Sequence, residues 1–176
     1  MLPPIMTDDQ LTSLDRSAPV FREAGCLIAR SHGLDDSSLE LFATGSVFVF
    51  QCGERHVIKL FPPFCRDHYE TELSALSCLH VPLQGKVPGV HHTGSVDDWP
   101  YIVMDRRPGI PLNECWEELE ATERRSCVEQ TADLLRALHR VAHQNFPLPR
   151  PDWAQFIQRQ RNNCLAQQQR AKLEQS

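Results

Sequence analysis

Lysine is scarce in this chain: Lys59, Lys86 and Lys172 are the only three among 176 residues. With a formal net charge of −5, the sequence has no basic footprint for gripping a phosphate backbone, which excludes nucleic-acid binding as its main task. Long hydrophobic runs are missing too. The longest, Val47–Phe50 and Tyr101–Met104, fall far short of the roughly 20 residues that a membrane-spanning helix needs. Residues Met1–Asp9 carry neither the basic head nor the apolar stretch of a secretory signal. No two cysteines stand as C-x-x-C, and the seven, at positions 26, 52, 65, 78, 115, 127 and 164, follow no zinc-ligand spacing. A disulfide framework is therefore not expected, and a reducing, cytoplasmic setting without a membrane partner is. Also absent is the low hydrophobicity of a disordered chain. Hydrophobic residues make up 41% and charged residues 23%, enough apolar mass for a core. The length suits one domain, or one domain with part of another.

Residues 1–38 carry the weakest pattern. Thr7 and Asp8 can open a short helix to Leu14, and Phe21 to Arg30 is apolar enough to pack as helix or strand. Three β-rich runs follow, Leu39–Phe42, Val47–Gln51 and His56–Phe61. They are joined by short links around Gly45 and Gly53, which is the pattern of an antiparallel meander. Pro62-Pro63 ends the third run. A helix is predicted over residues 66–80, then short strands at Val90–Thr93 and Tyr101–Met104. Beyond Gly109 the pattern is helical only. Thr122 is the expected cap of a helix running to about His143, the prolines at 147, 149 and 151 form a linker, and Asp152 caps a last helix. The fold class is α+β, a five-stranded antiparallel sheet with one inserted helix and helices after it. The predicted divisions are an extension over 1–38, a sheet lobe over 39–112 and a helical part over 113–176.

Lys59 sits inside an apolar strand, where alternation puts it on one face with Val57 and Phe61. An ammonium on a half-buried face is costly unless it meets an anion or snorkels to solvent from an edge strand. The next helix offers an anion. Glu72 stands four residues before Leu76 and seven before Leu79, over the core-facing stripe, whereas Glu70 lines up with Ser74 and Ser77 on the wet side. An inward Lys59–Glu72 ion pair is the expectation. His91-His92 invites a metal reading, but adjacent strand residues face opposite ways, and a plain pair of histidines is expected. His139, on an apolar helix, is expected to be a core histidine.

Strand, glycine turn, strand, turn and strand with an inward lysine, followed by a helix with an inward glutamate, resembles the amino-terminal lobe of the kinase-like fold. The wording is similar to the aminoglycoside phosphotransferase and choline kinase branch. His56–Pro63 resembles its third strand, Glu72–Leu79 its E-x-x-x-L-x-x-L helix, and Val87–Val90 the segment after it. Tyr101–Leu112 resembles the hinge and the turn that follows, and Leu135–His139 a helix of the second lobe. The resemblance covers residues 39–143 and implies roles. Lys59 would hold the α- and β-phosphates of ATP, and Glu72 would fix its direction. Val57 would roof the adenine, Met104 would back the purine pocket, and the backbones of Asp105 and Arg107 would read the purine edge. Gly45 and Ser46 would offer backbone N–H groups to the phosphates.

The branch places its catalytic aspartate in an H-x-D-x-x-x-x-N loop after the long helices, with a magnesium-binding aspartate further on. Neither occurs after residue 143. The resemblance thus implies a phosphotransferase acting on a hydroxyl of a small-molecule, aminoglycoside-type acceptor, truncated before its catalytic loop and inactive alone. ATP would be held weakly, and magnesium only if a complete second lobe were supplied. A non-catalytic nucleotide-binding or protein-interaction module is the alternative reading. The helix carrying Val128, Thr131, Leu135, Leu138 and Ala142 is expected to leave an apolar patch through which the chain self-associates.

Overall fold

The computed structural model describes residues 1–5, 7–42, 45–83, 85–141 and 153–170. Two compact units divide the chain, Met1–Phe146 and Pro147–Ser176. In the first, two helices, α1 (Asp8–Thr12) and α2 (Pro19–Ser31), precede the strands β1 (Glu40–Leu41), β2 (Phe48–Cys52) and β3 (His56–Leu60). A 3-10 turn at Pro63–Cys65 leads into α3 (Arg66–Leu79). The strands β4 (Val90–Val96) and β5 (Trp99–Asp105) follow, then α4 (Leu112–Cys115), a 3-10 turn at Trp116–Glu118 and α5 (Ala121–His139). The second unit contains α6 (Trp153–Arg170).

The five strands form one antiparallel sheet in the order β1-β2-β3-β5-β4, with α3 inserted between β3 and β4. This is the α+β architecture read from the sequence. β4 and β5 run longer than expected because Asp97 and Asp98 join them directly, at φ of 48° and 65°. Two successive left-handed residues match the twist of a two-residue hairpin, but neither is the glycine that would have advertised it. A bulge between Val90 and His92 shifts the β4–β5 register.

Alternation gives the sheet two apolar faces. On one, Phe48, Phe50, Ile58, Leu60, Trp99, Tyr101 and Val103 meet Phe21, Ala24, Ile28 and Ala29 of α2 in a core that also takes in Leu2 and Ile5. Phe48 stacks on Phe21 with centroids 4.1 Å apart and meets Trp99 edge-on at 5.6 Å. The run Phe21–Arg30, ambiguous in sequence, is thus a helix whose apolar stripe covers the sheet. On the opposite face, Val47, Phe61, Ile102 and Met104 pack with Val49, Val57, Tyr69, Leu73 and Leu76, so α3 covers only part of that side.

Two local expectations need correction. The cap of α5 is Glu120, not Thr122. The Glu120 side chain accepts from the backbone N–H of Glu123, and the Glu123 carboxylate accepts from the Glu120 N–H at 2.9 Å. This reciprocal pair satisfies two end groups of the helix, which a lone threonine two residues later would not. His139 is exposed in the last turn of α5, where it faces the helix's partial negative end rather than a core. The expected proline linker and the Asp152 cap lie outside the described residues, as does Ala142.

Candidate functional site

The site is built on the sheet face that α3 only partly covers. β3 presents Lys59 there because Ile58 and Leu60 are consumed by the opposite core. α3 presents Glu72 because Leu73 and Leu76 anchor the helix on the sheet. Lys59 Nζ donates to both Glu72 carboxylate oxygens, each at 2.6 Å, with the two side chains 21% and 30% exposed. These are charge-assisted hydrogen bonds, about twice as strong as neutral ones. Its side chain also passes the Phe61 ring, with Nζ 5.5 Å from the centroid. Glu70 points to solvent, as the helix phase requires.

Val57 and Met104 are direct cross-strand partners in the β3–β5 register, two residues along from the Lys59–Ile102 pair and so on the same face. Val57 is half-buried and Met104 buried. An apolar patch therefore adjoins the fixed ammonium on the same face. β5 ends at Asp105, whose carboxylate is engaged locally: Oδ2 accepts from Gly89 N–H and Oδ1 is bonded to His91 Nε2, both at 2.7 Å. Burial works to raise its pKa, but the Gly89 and His91 hydrogen bonds outweigh that and hold the carboxyl below its ordinary value. The Asp105 N–H donates to Gly89 O and the Arg106 N–H to Arg55 O. Among the described residues, the Arg107 N–H has no hydrogen-bond partner. The Arg107 guanidinium turns back onto the carbonyls of Gly85 and Val87.

At the other end of the face lies the turn between β1 and β2. Ala43 and Thr44 are outside the described residues. Gly45 has φ of 142°, and a Cβ there would stand 3.3 Å from the Val47 carbonyl oxygen. Only glycine suits that backbone. Ser46 is exposed.

A sequence model of the Phosphotransferase enzyme family matches residues 38–176. The chain belongs to that family. No curated protein matches it significantly. The matched segment starts just before β1 and contains the whole five-stranded sheet, so the fixed Lys59–Glu72 pair lies on the part of the chain that the phosphotransferase family defines.

Two clusters in this phosphotransferase-family chain escaped the sequence reading. His32 stacks on His92, and His32 Nε2 is hydrogen-bonded to Tyr101 Oη at 2.9 Å. His56 meets His91 edge-on, with centroids 5.1 Å apart, beside Asp105. Among the described residues, no three acidic, histidine or cysteine side chains converge as a metal site. A third unrecognised feature is Arg16, which donates to Gly45 O at 2.7 Å and to Val47 O at 2.6 Å. No local pattern signals it, because its partners lie 29 and 31 residues away.

Proposed function

We propose that this chain binds the donor nucleotide of an ATP-dependent phosphotransferase whose acceptor is a hydroxyl on a small, aminoglycoside-type molecule. The observation that carries the reading is the chelated Lys59 ammonium, held by Glu72 on an open sheet face beside an apolar patch. The residues suit ATP chemically. Lys59 supplies a fixed cation for the α- and β-phosphates, and Val57 and Met104 supply an apolar bed for the purine. Asp105 and Arg107 supply hinge backbone, of which the Arg107 N–H is a ready donor to a ring nitrogen. Gly45 and Ser46 lie where backbone amides can meet phosphate oxygens. Glu72 acts through Lys59, keeping the ammonium in place before the nucleotide arrives, so that no ordering cost falls on binding.

Phosphoryl transfer also needs a group to orient the attacking hydroxyl and carboxylates to hold magnesium. Residues 144–176 contain one aspartate, Asp152, without the histidine two places before it that the loop requires. We therefore assign these 176 residues the binding of the donor and no transfer of their own, and magnesium enters only with a complete second lobe. A non-catalytic nucleotide-binding module shares this chemistry and differs only in lacking an acceptor. We also assign self-association to α5. Val128 and Leu135, seven residues apart on one stripe, are 59% and 48% exposed.

Calorimetric titration of the chain with ATP and ADP tests the donor site. Binding that Lys59→Ala weakens supports it; no binding, or binding indifferent to Lys59, removes it. An ATP-consumption assay with magnesium, aminoglycosides and choline tests the rest. Turnover above the Lys59→Ala control would overturn the assignment of binding without transfer.

A further inference from the structure

We infer that Arg16 is a positioning residue for the phosphate-facing turn, setting the direction of the Ser46 amide from the opposite side of the sheet. The inference rests on the donor-site reading and adds to it a residue from outside the segment that the family model matches.

The geometry follows from the peptide unit. Arg16 lies over the Phe48 ring, 4.9 Å from its centroid, and Phe48 belongs to the α2 face of the sheet. The guanidinium is therefore on the side away from Lys59, whose β2 partner is Val49. From there its two Nη groups donate to Gly45 O and Val47 O. A trans peptide points its C=O and the following N–H in opposite directions, and the described peptide bonds are all trans. Drawing the Gly45 carbonyl toward Arg16 thus turns the Ser46 N–H away from it, off the α2 side of the sheet. Without Arg16, a single-glycine turn with φ of 142° has no other described side chain fixing this peptide plane, and glycine lets the plane rotate at little cost. The planar fork matters because two carbonyls are bound at once, which an ammonium cannot reproduce in the same geometry.

A phosphate oxygen meeting Ser46 N–H would feel the loss of Arg16, whereas the purine would not. The test uses the full chain with Arg16→Ala, Arg16→Lys and Lys59→Ala, titrated with ADP and with adenosine, while the Ser46 amide resonance is followed by NMR. Arg16→Ala should weaken ADP about tenfold, the scale of one hydrogen bond to a charged group, and leave adenosine within about twofold. The ADP-induced shift of the Ser46 amide should shrink. Arg16→Lys, which keeps the charge over Phe48 and preserves the fold should the alanine variant unfold, should recover only part of the ADP affinity. Equal weakening of ADP and adenosine would mean a structural role and overturn the inference. So would unchanged ADP affinity in both Arg16 variants while Lys59→Ala still weakens it. Wild-type ADP binding that is absent, or indifferent to Lys59→Ala, would remove the donor site itself and the inference with it.

Discussion

His32 lies flat on His92, with ring centroids 4.0 Å apart and planes 9° from parallel. Two imidazolium cations in this contact would repel each other. Burial first, and His92 second, hold the pKa of His32 below its ordinary value. His56 is depressed likewise, by burial first and then by His91.

The sign of the pH dependence follows. A histidine whose folded pKa is depressed binds fewer protons folded than unfolded. Its contribution is therefore fully present above the unfolded pKa of about 6.5 and is lost as pH falls below that value. The urea midpoint of the chain should drop between pH 7.5 and pH 5.5. In His32→Gln that drop should be smaller. The depressed carboxyl of Asp105 acts in a separate window, below the ordinary carboxyl pKa of about 3.9. A midpoint that is flat across pH 5.5–7.5 would contradict the histidine account.

The ion pair yields a contrast between two glutamates on one helix. Glu72→Ala strands a half-buried ammonium and should cost about 1–3 kcal/mol, between the ranges for exposed and buried pairs. Glu70→Ala, on the solvent side, should stay within about 0.5 kcal/mol. Denaturant unfolding measures both. Comparable losses at the two positions would mean that the chelate contributes little.

Gly94 lies opposite Tyr101 in the β4–β5 ladder, and a Cβ there would stand 2.4 Å from the Tyr101 hydroxyl oxygen. The tyrosine is buried, so its ring has little room to yield. Gly94→Ala should destabilise the chain by about 1–3 kcal/mol, as overpacking does. It should also displace the hydroxyl from His32. Urea unfolding checks the cost, and the His32 ring resonances check the displacement.

The exposed stripe of α5 should drive concentration-dependent association in sedimentation velocity. Val128→Glu with Leu135→Glu should abolish it without lowering the thermal midpoint, since neither side chain is buried. A wild-type chain that stays monomeric at high concentration would remove the proposal.

Much of this was legible in the sequence because it is periodic. Alternation around Lys59 and the i, i+4 stripe through Glu72 and Leu76 placed two side chains on facing surfaces without a coordinate. What stayed hidden is not periodic. The Asp97-Asp98 turn needs two left-handed residues that are not glycine. The helix over Pro19–Ser31 and a buried strand share the same apolar content. The Arg16 contacts join distant segments through carbonyls, which every residue possesses. The Glu120 cap was hidden by a threonine that fits the usual capping preference better.

The segment Leu2–Ile5 is laced to the far hairpin. The Leu2 N–H donates to Asp97 at 2.7 Å, and Trp99 Nε1 donates to Pro3 O at 3.0 Å, across 95 and 96 residues of chain. A ribosome adding about 5–20 residues per second delivers these partners roughly 5–20 s apart. Throughout that interval Leu2 and Ile5 wait for Asp97 and Trp99, while α2 already has β2 and β3 to cover. These loops can close only after the hairpin emerges, so the nascent form exposes at its leading end two apolar residues that the finished form buries.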